Sequence, residues 1–201
     1  MEALSIGPQD KLLLVGGFDK ILKIYNNTGD FFTEIQSLWV GFELVMVRAN
    51  EGNMVLSGLS NRIEFYSSDG SSYALTNTIN VPDSKVFSFS ITTDFTKLAY
   101  GSDNQTFNVY TRSNDTYRNE FAYEIGSEVK AVEMDETSRY YSACAVDGNL
   151  YTFYHCSTGC ASCSFPDNCS ECQEGYVLKG AHCFPKSTEC VGNAVMKGEI
   201  C

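Results

Sequence analysis

The 201-residue chain falls between one and two domains at ~100–200 residues per domain, and 43% hydrophobic with 19% charged residues is the composition of a folded chain, not a disordered one. A formal net charge of −11 argues against nucleic acid and anionic membrane surfaces as partners, since both reward Lys and Arg. Charge and cysteine are unevenly spread: residues 1–154 hold 11 Lys+Arg against 20 Asp+Glu, whereas 155–201 hold 3 against 5 together with eight of the nine cysteines. A domain boundary is therefore expected at Tyr154/His155.

The opening "MEALSIGPQDK" has no basic n-region, apolar h-region or small-residue cleavage site, so it does not read as a secretory signal. No run of 18 apolar residues exists, and "WVGFELVMV", Trp39 to Val47, carries Glu43 and reads as a strand. Four segments then repeat in phase, ending at Tyr25, Tyr66, Tyr110 and Tyr154, with spacings of 41, 44 and 44 residues. Each opens on an alternating strand and passes a polar turn ("GPQDK", "NEGN", "TTDFT", "DETS"). Each continues in a near-continuous apolar strand ending in small residues: "LLLVGG", "MVLSG", "KLAYGS", "YYSACA". That second strand is expected to be covered on both faces, with its small residues permitting a tight turn. Stretches such as "GDFFTEIQSLWVG" and "RNEFAYEIGS" supply a fourth strand to the first three units and none to the last.

A period of ~40–45 residues built from short strands is the propeller-blade signature. Residues 1–154 resemble WD-repeat β-propeller blades, with Tyr25, Tyr66, Tyr110 and Tyr154 at the family's Trp position. The Asp expected six residues earlier is present as Asp19; Ser60, Asn104 and Gly148 stand there in the other units, and no Gly-His dipeptide opens any of them. The expected fold class is all-β: a β-propeller of about four four-stranded blades plus a small disulfide-rich module. An unrelated β-sandwich is the alternative, and the class is β either way. Propellers close with ~4–8 blades and an unclosed arc exposes strand edges, so this one is expected to be an incomplete part of a larger propeller, completed by further domains of a longer gene product or by another chain.

The tail spaces its cysteines at 156, 160, 163, 169, 172, 183, 190 and 201. Structural zinc sites usually take two Cys-x2-Cys hairpins separated by a dozen or more residues; Cys160/Cys163 and Cys169/Cys172 are separated by five. Disulfides suit a tail too poor in large apolar side chains to fold alone, since below ~70 residues staples are usually needed. Residues 156–183, "CSTGCASCSFPDNCSECQEGYVLKGAHC", resemble a furin-like, growth-factor-receptor cysteine-rich repeat, with Gly175 and Tyr176 as its "GY". The resemblance implies Cys156–Cys163, Cys160–Cys169 and Cys172–Cys183, leaving Cys190 with Cys201. Cys144, in "YYSACAVDG", is expected to be a buried small hydrophobe.

Sequons stand at Asn26, Asn104, Asn114 and Asn168, with Asn114 the best loop acceptor. The two histidines, His155 and His182, read as solvated loop residues, and Asp135/Glu136 as solvated turn formers. "VGGFD" lacks phosphate-loop spacing. No catalytic, cofactor or metal residue is assigned. The expected function is a non-catalytic structural or protein-interaction component of a cell-surface, extracellular or luminal assembly, its partners other protein chains or glycans and its tail a stiff connector. An intracellular WD-repeat scaffold with a zinc-binding tail, or a propeller glycan hydrolase, are the alternatives.

Overall fold

A computed structural model describes residues 3–7, 10–50, 52–165 and 167–185. One compact unit reaches to Thr152, and a second starts at Phe153.

The first unit is a row of antiparallel sheets whose strands pair in chain order. Blade one comprises β1 (Ala3–Ile6), β2 (Leu12–Gly16), β3 (Ile21–Asn27) and β4 (Phe32–Trp39). Blade two comprises β5 (Leu44–Ala49), β6 (Asn53–Gly58), β7 (Arg62–Ser68) and β8 (Tyr73–Asn80). Blade three comprises β9 (Val86–Ile91), β10 (Lys97–Ser102), β11 (Thr106–Ser113) and β12 (Thr116–Glu124). Blade four has three strands, β13 (Val129–Met134), β14 (Tyr140–Ala145) and β15 (Leu150–Tyr154). The first strands are neighbours along the row, β1 beside β5, β5 beside β9 and β9 beside β13.

Local chemistry places the turns. Asp94 accepts the Thr96 amide at 2.9 Å, Asp135 accepts those of Arg139 and Tyr140, and Asp69 those of Ser71 and Ser72, so a short carboxylate replaces the missing strand partner at each reversal. Asn114 and Asp115 take φ of 49° and 60° at the β11–β12 hairpin, values that Asn and Asp tolerate better than other side chains. The run Trp39 to Val47 is not one strand: Gly41, at φ 80°, breaks it between β4 and β5.

Packing between blades comes from alternation. One face of blade one supplies Leu14, Leu22 and Ile24 to a core completed by Val47, Met54 and Leu56 of blade two. The other face of blade two gives Val55, Ile63 and Phe65, which meet Phe89, Leu98 and Tyr100 of blade three. The second strands are buried almost throughout in blades two and three, whereas β2 is only half-covered on one face and β14 leaves Tyr140 and Cys144 exposed. Cover on both faces therefore holds for the inner blades and fails for the outer ones. The small residues ending the second strands have a different cause from the tight turn expected. A Cβ on Gly16 would lie 2.6 Å from Leu44, and one on Gly101 would lie 2.3 Å from Val129, so each glycine leaves room for the next blade's first strand.

The second unit contains two hairpins: β16 (Cys160–Phe165) with β17 (Asn168–Cys172), and β18 (Tyr176–Lys179) with β19 (His182–Pro185). Of its described side chains only those of Cys160 and Cys169 are buried, while Phe165, Leu178 and Phe184 are exposed. Its interior is sulfur, because so short a segment has little else to bury.

Candidate interaction surface and disulfide module

At one rim of the blades, equivalent turns are joined in series. The Asn50 side chain donates to the Thr93 carbonyl at 2.9 Å, and the Thr93 amide donates to Glu136 Oε1 at 2.8 Å. Glu136 is thus not a merely solvated turn acid; it ties blade four to blade three. On the outer strands Gln36 grips the Tyr73 backbone twice, donating to its carbonyl at 3.1 Å and accepting its amide at 2.8 Å. Asn77, in the equivalent position one blade on, donates to the Asp115 carbonyl at 2.7 Å. A groove of about 280 Å³ lies there, bordered by Asn53, Thr76, Asn77, Arg112 and Asp115.

Blade two carries a buried polar cluster where the WD-repeat network is absent. The Tyr66 hydroxyl donates to Glu64 Oε2 at 2.7 Å, and Arg62 Nε stands 2.8 Å from Glu64 Oε1, an ion pair by distance although its N–H is not aimed along a hydrogen bond. Burial, then the Glu64 contact, pushes the Tyr66 phenol far above its ordinary value. Arg62 also donates to the Val40 carbonyl at 3.1 Å and lies over the Phe42 ring, anchoring the segment that leads into blade two. Beside it, Lys20, Glu43, Ser60 and Lys85 line a 460 Å³ concavity.

The carboxylates whose protonation is displaced are held low, not high. The Ser71 hydroxyl and amide, with the Ser72 amide, pull Asp69 down to about 2; Thr92 and Thr96 lower Asp94, and Tyr151 with Asn149 lowers Asp147. Burial opposes the same effect at Asp135, where Thr137, Tyr140 and Arg139 outweigh it. A general acid of glycoside hydrolysis needs the opposite displacement.

In the tail unit, disulfides join Cys156 to Cys163, Cys160 to Cys169 and Cys172 to Cys183. These are the pairs the growth-factor-receptor resemblance implies; Cys190 and Cys201 lie outside the described residues. The third bridge fastens one hairpin to the other. Gly159, at φ 79°, packs so closely on the Tyr176 ring that a Cβ would stand 2.3 Å from it, which gives the "GY" tyrosine a structural task. The sulfurs of Cys160, Cys169 and Cys183 lie within 4.8 Å of one another, as do those of Cys156, Cys160 and Cys163. His155 and His182 are exposed.

Cys144 is a free thiol and exposed, not buried as its apolar setting predicts, because it sits on the open face of blade four. Of the sequons, Asn114 is exposed at a hairpin tip, Asn26 exposed within β3, and Asn104 accepts bonds from Ser102 and Thr106 in a tight turn. Asn168 donates to Ser164 across the β16–β17 hairpin.

No family model matches the chain, and no curated protein matches it. Among solved structures it is similar to a chain of the "Crystal Structure of Mitotic Checkpoint Complex", with a TM-score of 0.63 and 16% identity over 77% of this chain and 48% of that one. That likeness supports a WD-repeat-like β-sheet fold. The chain spans about half the length of the structure it matches. Among the described residues no helix is long and apolar enough to cross a membrane.

Proposed function

We propose that this protein is a non-catalytic interaction component of an assembly matured outside the reducing cytosol. The blade turns and inter-blade grooves meet protein chains or glycans, and the cysteine-rich module, furin-like in its spacing, is a stiff connector. The observation that carries this reading is the set of three disulfides, which replace a hydrophobic core in the tail and form durably in oxidising compartments. The WD-like fold supports protein partners, and Asp69, Asp94 and Asp135, each held low by amides and hydroxyls of its own turn, suit rigid display of loops more than proton transfer.

The test is alkylation of the protein as taken from the cells that make it, before and after reduction, followed by peptide mass mapping. Blocked Cys156, Cys160, Cys163, Cys169, Cys172 and Cys183 that become reactive only after reduction support the reading; uniformly reactive thiols defeat it. The close sulfurs of Cys160, Cys169 and Cys183 keep a second reading, an intracellular scaffold with a metal-binding tail. One zinc bound per chain under reducing conditions, lost on oxidation, would favour that reading.

A further inference from the structure

We infer that Asn26 carries an N-linked glycan whose innermost N-acetylglucosamine fills the groove between blades one and two. This rests on the proposed maturation outside the cytosol, where such a sequon can be used. The bond joins Asn26 Nδ2 to the anomeric carbon of a lipid-diphosphate-linked oligosaccharide; one Nδ2 proton is released, and the lipid diphosphate leaves with the electrons of its C–O bond.

Alternation along β3 places Asn26 on the face of Leu22 and Ile24, the face that packs on blade two. Leu22 and Ile24 are fully buried, whereas Asn26, one step further along, is exposed and borders a groove of about 470 Å³. Its side chain makes no hydrogen bond among the described residues, so the amide nitrogen is free to carry a sugar.

The same groove one blade on is closed. There Ser67 takes the place of Asn26, and its hydroxyl donates to Asn53 Oδ1 at 2.8 Å. Arg112 and Asp115, paired at 2.6 Å, stand 44 residues after Ser68 and Ser71 and leave only about 280 Å³. The small side chains of blade two therefore keep the first groove within the ~300–1,000 Å³ of small-molecule sites.

The wall suits an amide-bearing sugar. Leu12 and Ile35 offer apolar surface to its C–H face and acetamide methyl, and the Lys11 ammonium offers donors to its hydroxyls. Ser68 Oγ accepts the Gly70 amide and Ser71 Oγ donates to Asp69, so the first keeps a proton to give and the second lone pairs to receive. The other sequons have no such wall with a free amide: Asn104 Oδ1 is taken by Ser102 and Thr106, Asn168 Nδ2 donates to Ser164, and Asn114 sits at a hairpin tip.

Glycopeptide mass spectrometry of the full protein, taken from the cells that make it, tests this. Asn26 should be modified, and a glycan amidase should release its sugar about tenfold or more slowly from native than from denatured protein, since the sugar must first leave the groove. Ser68→Arg with Ser71→Asp installs the pair that closes the next groove, and native release there should approach the denatured rate. A second readout does not depend on that variant: trimming to one N-acetylglucosamine should leave the thermal midpoint unchanged, whereas Asn26→Gln should lower it by several degrees. Equal release from native and denatured wild type, a double variant as resistant as wild type, or an Asn26→Gln midpoint equal to wild type each overturns the inference. An unmodified Asn26 does so too, and alkylation of the tail cysteines in the same sample separates the causes. With the bridges intact this inference alone fails; with free thiols the proposed compartment fails as well.

Discussion

Gly101 and Val129 pack against each other only because Gly101 has no side chain: a Cβ there would stand 2.3 Å from Val129 Cγ1 and 2.9 Å from Val132 Cγ2. Both neighbours are β-branched and held in a strand, so neither rotates away easily. Gly101→Ala is expected to destabilise the blades by about 1–3 kcal/mol, the usual cost of overpacking a core. Gly16→Ala should cost less, because its nearest neighbour is the flexible tip of Leu44, and Gly58→Ala more, because a Cβ would lie 1.9 Å from the Glu43 carbonyl oxygen. Denaturant midpoints for the three variants check the order; Gly16→Ala proving the most damaging would refute this account of the glycines.

Gln36 makes a second inter-blade relation measurable. Its amide satisfies both the N–H and the C=O of Tyr73. Gln36→Leu leaves two partly buried backbone groups without that partner, at a cost of about 1–3 kcal/mol. Gln36→Glu keeps an acceptor for the amide but faces the carbonyl with a charge, so this variant should be weaker than wild type at neutral pH. It should recover part of the loss in acid, where the protonated carboxyl can donate. Thermal unfolding of both variants at two pH values reads the difference, and equal stability of Gln36→Glu with wild type at neutral pH would remove Gln36 from the list of blade ties.

The four tyrosines that close the third strands, and the polar turns between the first and second, made the blades legible, because period and alternation are carried by residues every blade must repeat. The fourth strands were legible for the same reason, and so was their lack in blade four. Exposure was not: "YYSACA" has the apolar look of "MVLSG", but whether a sheet covers its outer face depends on a neighbour that the strand itself does not encode. The ties were also hidden, since Gln36, Asn50 and Glu136 look like surface residues when taken singly. Their signal was spacing, with Asn50 to Thr93 and Thr93 to Glu136 both 43 residues apart, which is one blade. The cause of the small residues was misread because a glycine that permits a turn and one that admits a neighbour look alike in one dimension.

Acid should loosen the blades through their turns. In the folded chain the pKa values of Asp69, Asp94, Asp135 and Asp147 lie below the ordinary aspartate value, because amides and hydroxyls of the same turn bind the ionised form. Below that ordinary value the unfolded chain binds more protons than the folded one, so stability rises with pH there. The contribution of these turns is complete above the ordinary carboxylate range and is lost as pH falls from about 4 toward the value near 2 held by Asp69. Urea unfolding between pH 5 and about 2 should show this decline, reduced in Asp135→Asn, which keeps an acceptor but loses the titration. A variant whose acid decline matches wild type would show that Asp135 has no part in it.

Reduction should separate the two units. The bridges close short loops, with sequence separations of 7, 9 and 11, so each contributes roughly 2–3 kcal/mol by the loop-entropy estimate. The described tail has almost no apolar interior besides Cys160 and Cys169, whereas the blades bury Phe89, Phe107 and Leu98 fully. A reductant should therefore expose the segment from Cys156 to Cys183 to proteolysis while the strands of blades two and three stay protected, and Cys172→Ser with Cys183→Ser should free the second hairpin first. Limited proteolysis read by mass spectrometry, with and without reductant, follows both effects. Blades that were cut as fast as the tail on reduction would mean that their stability depends on the disulfides and not on their own core.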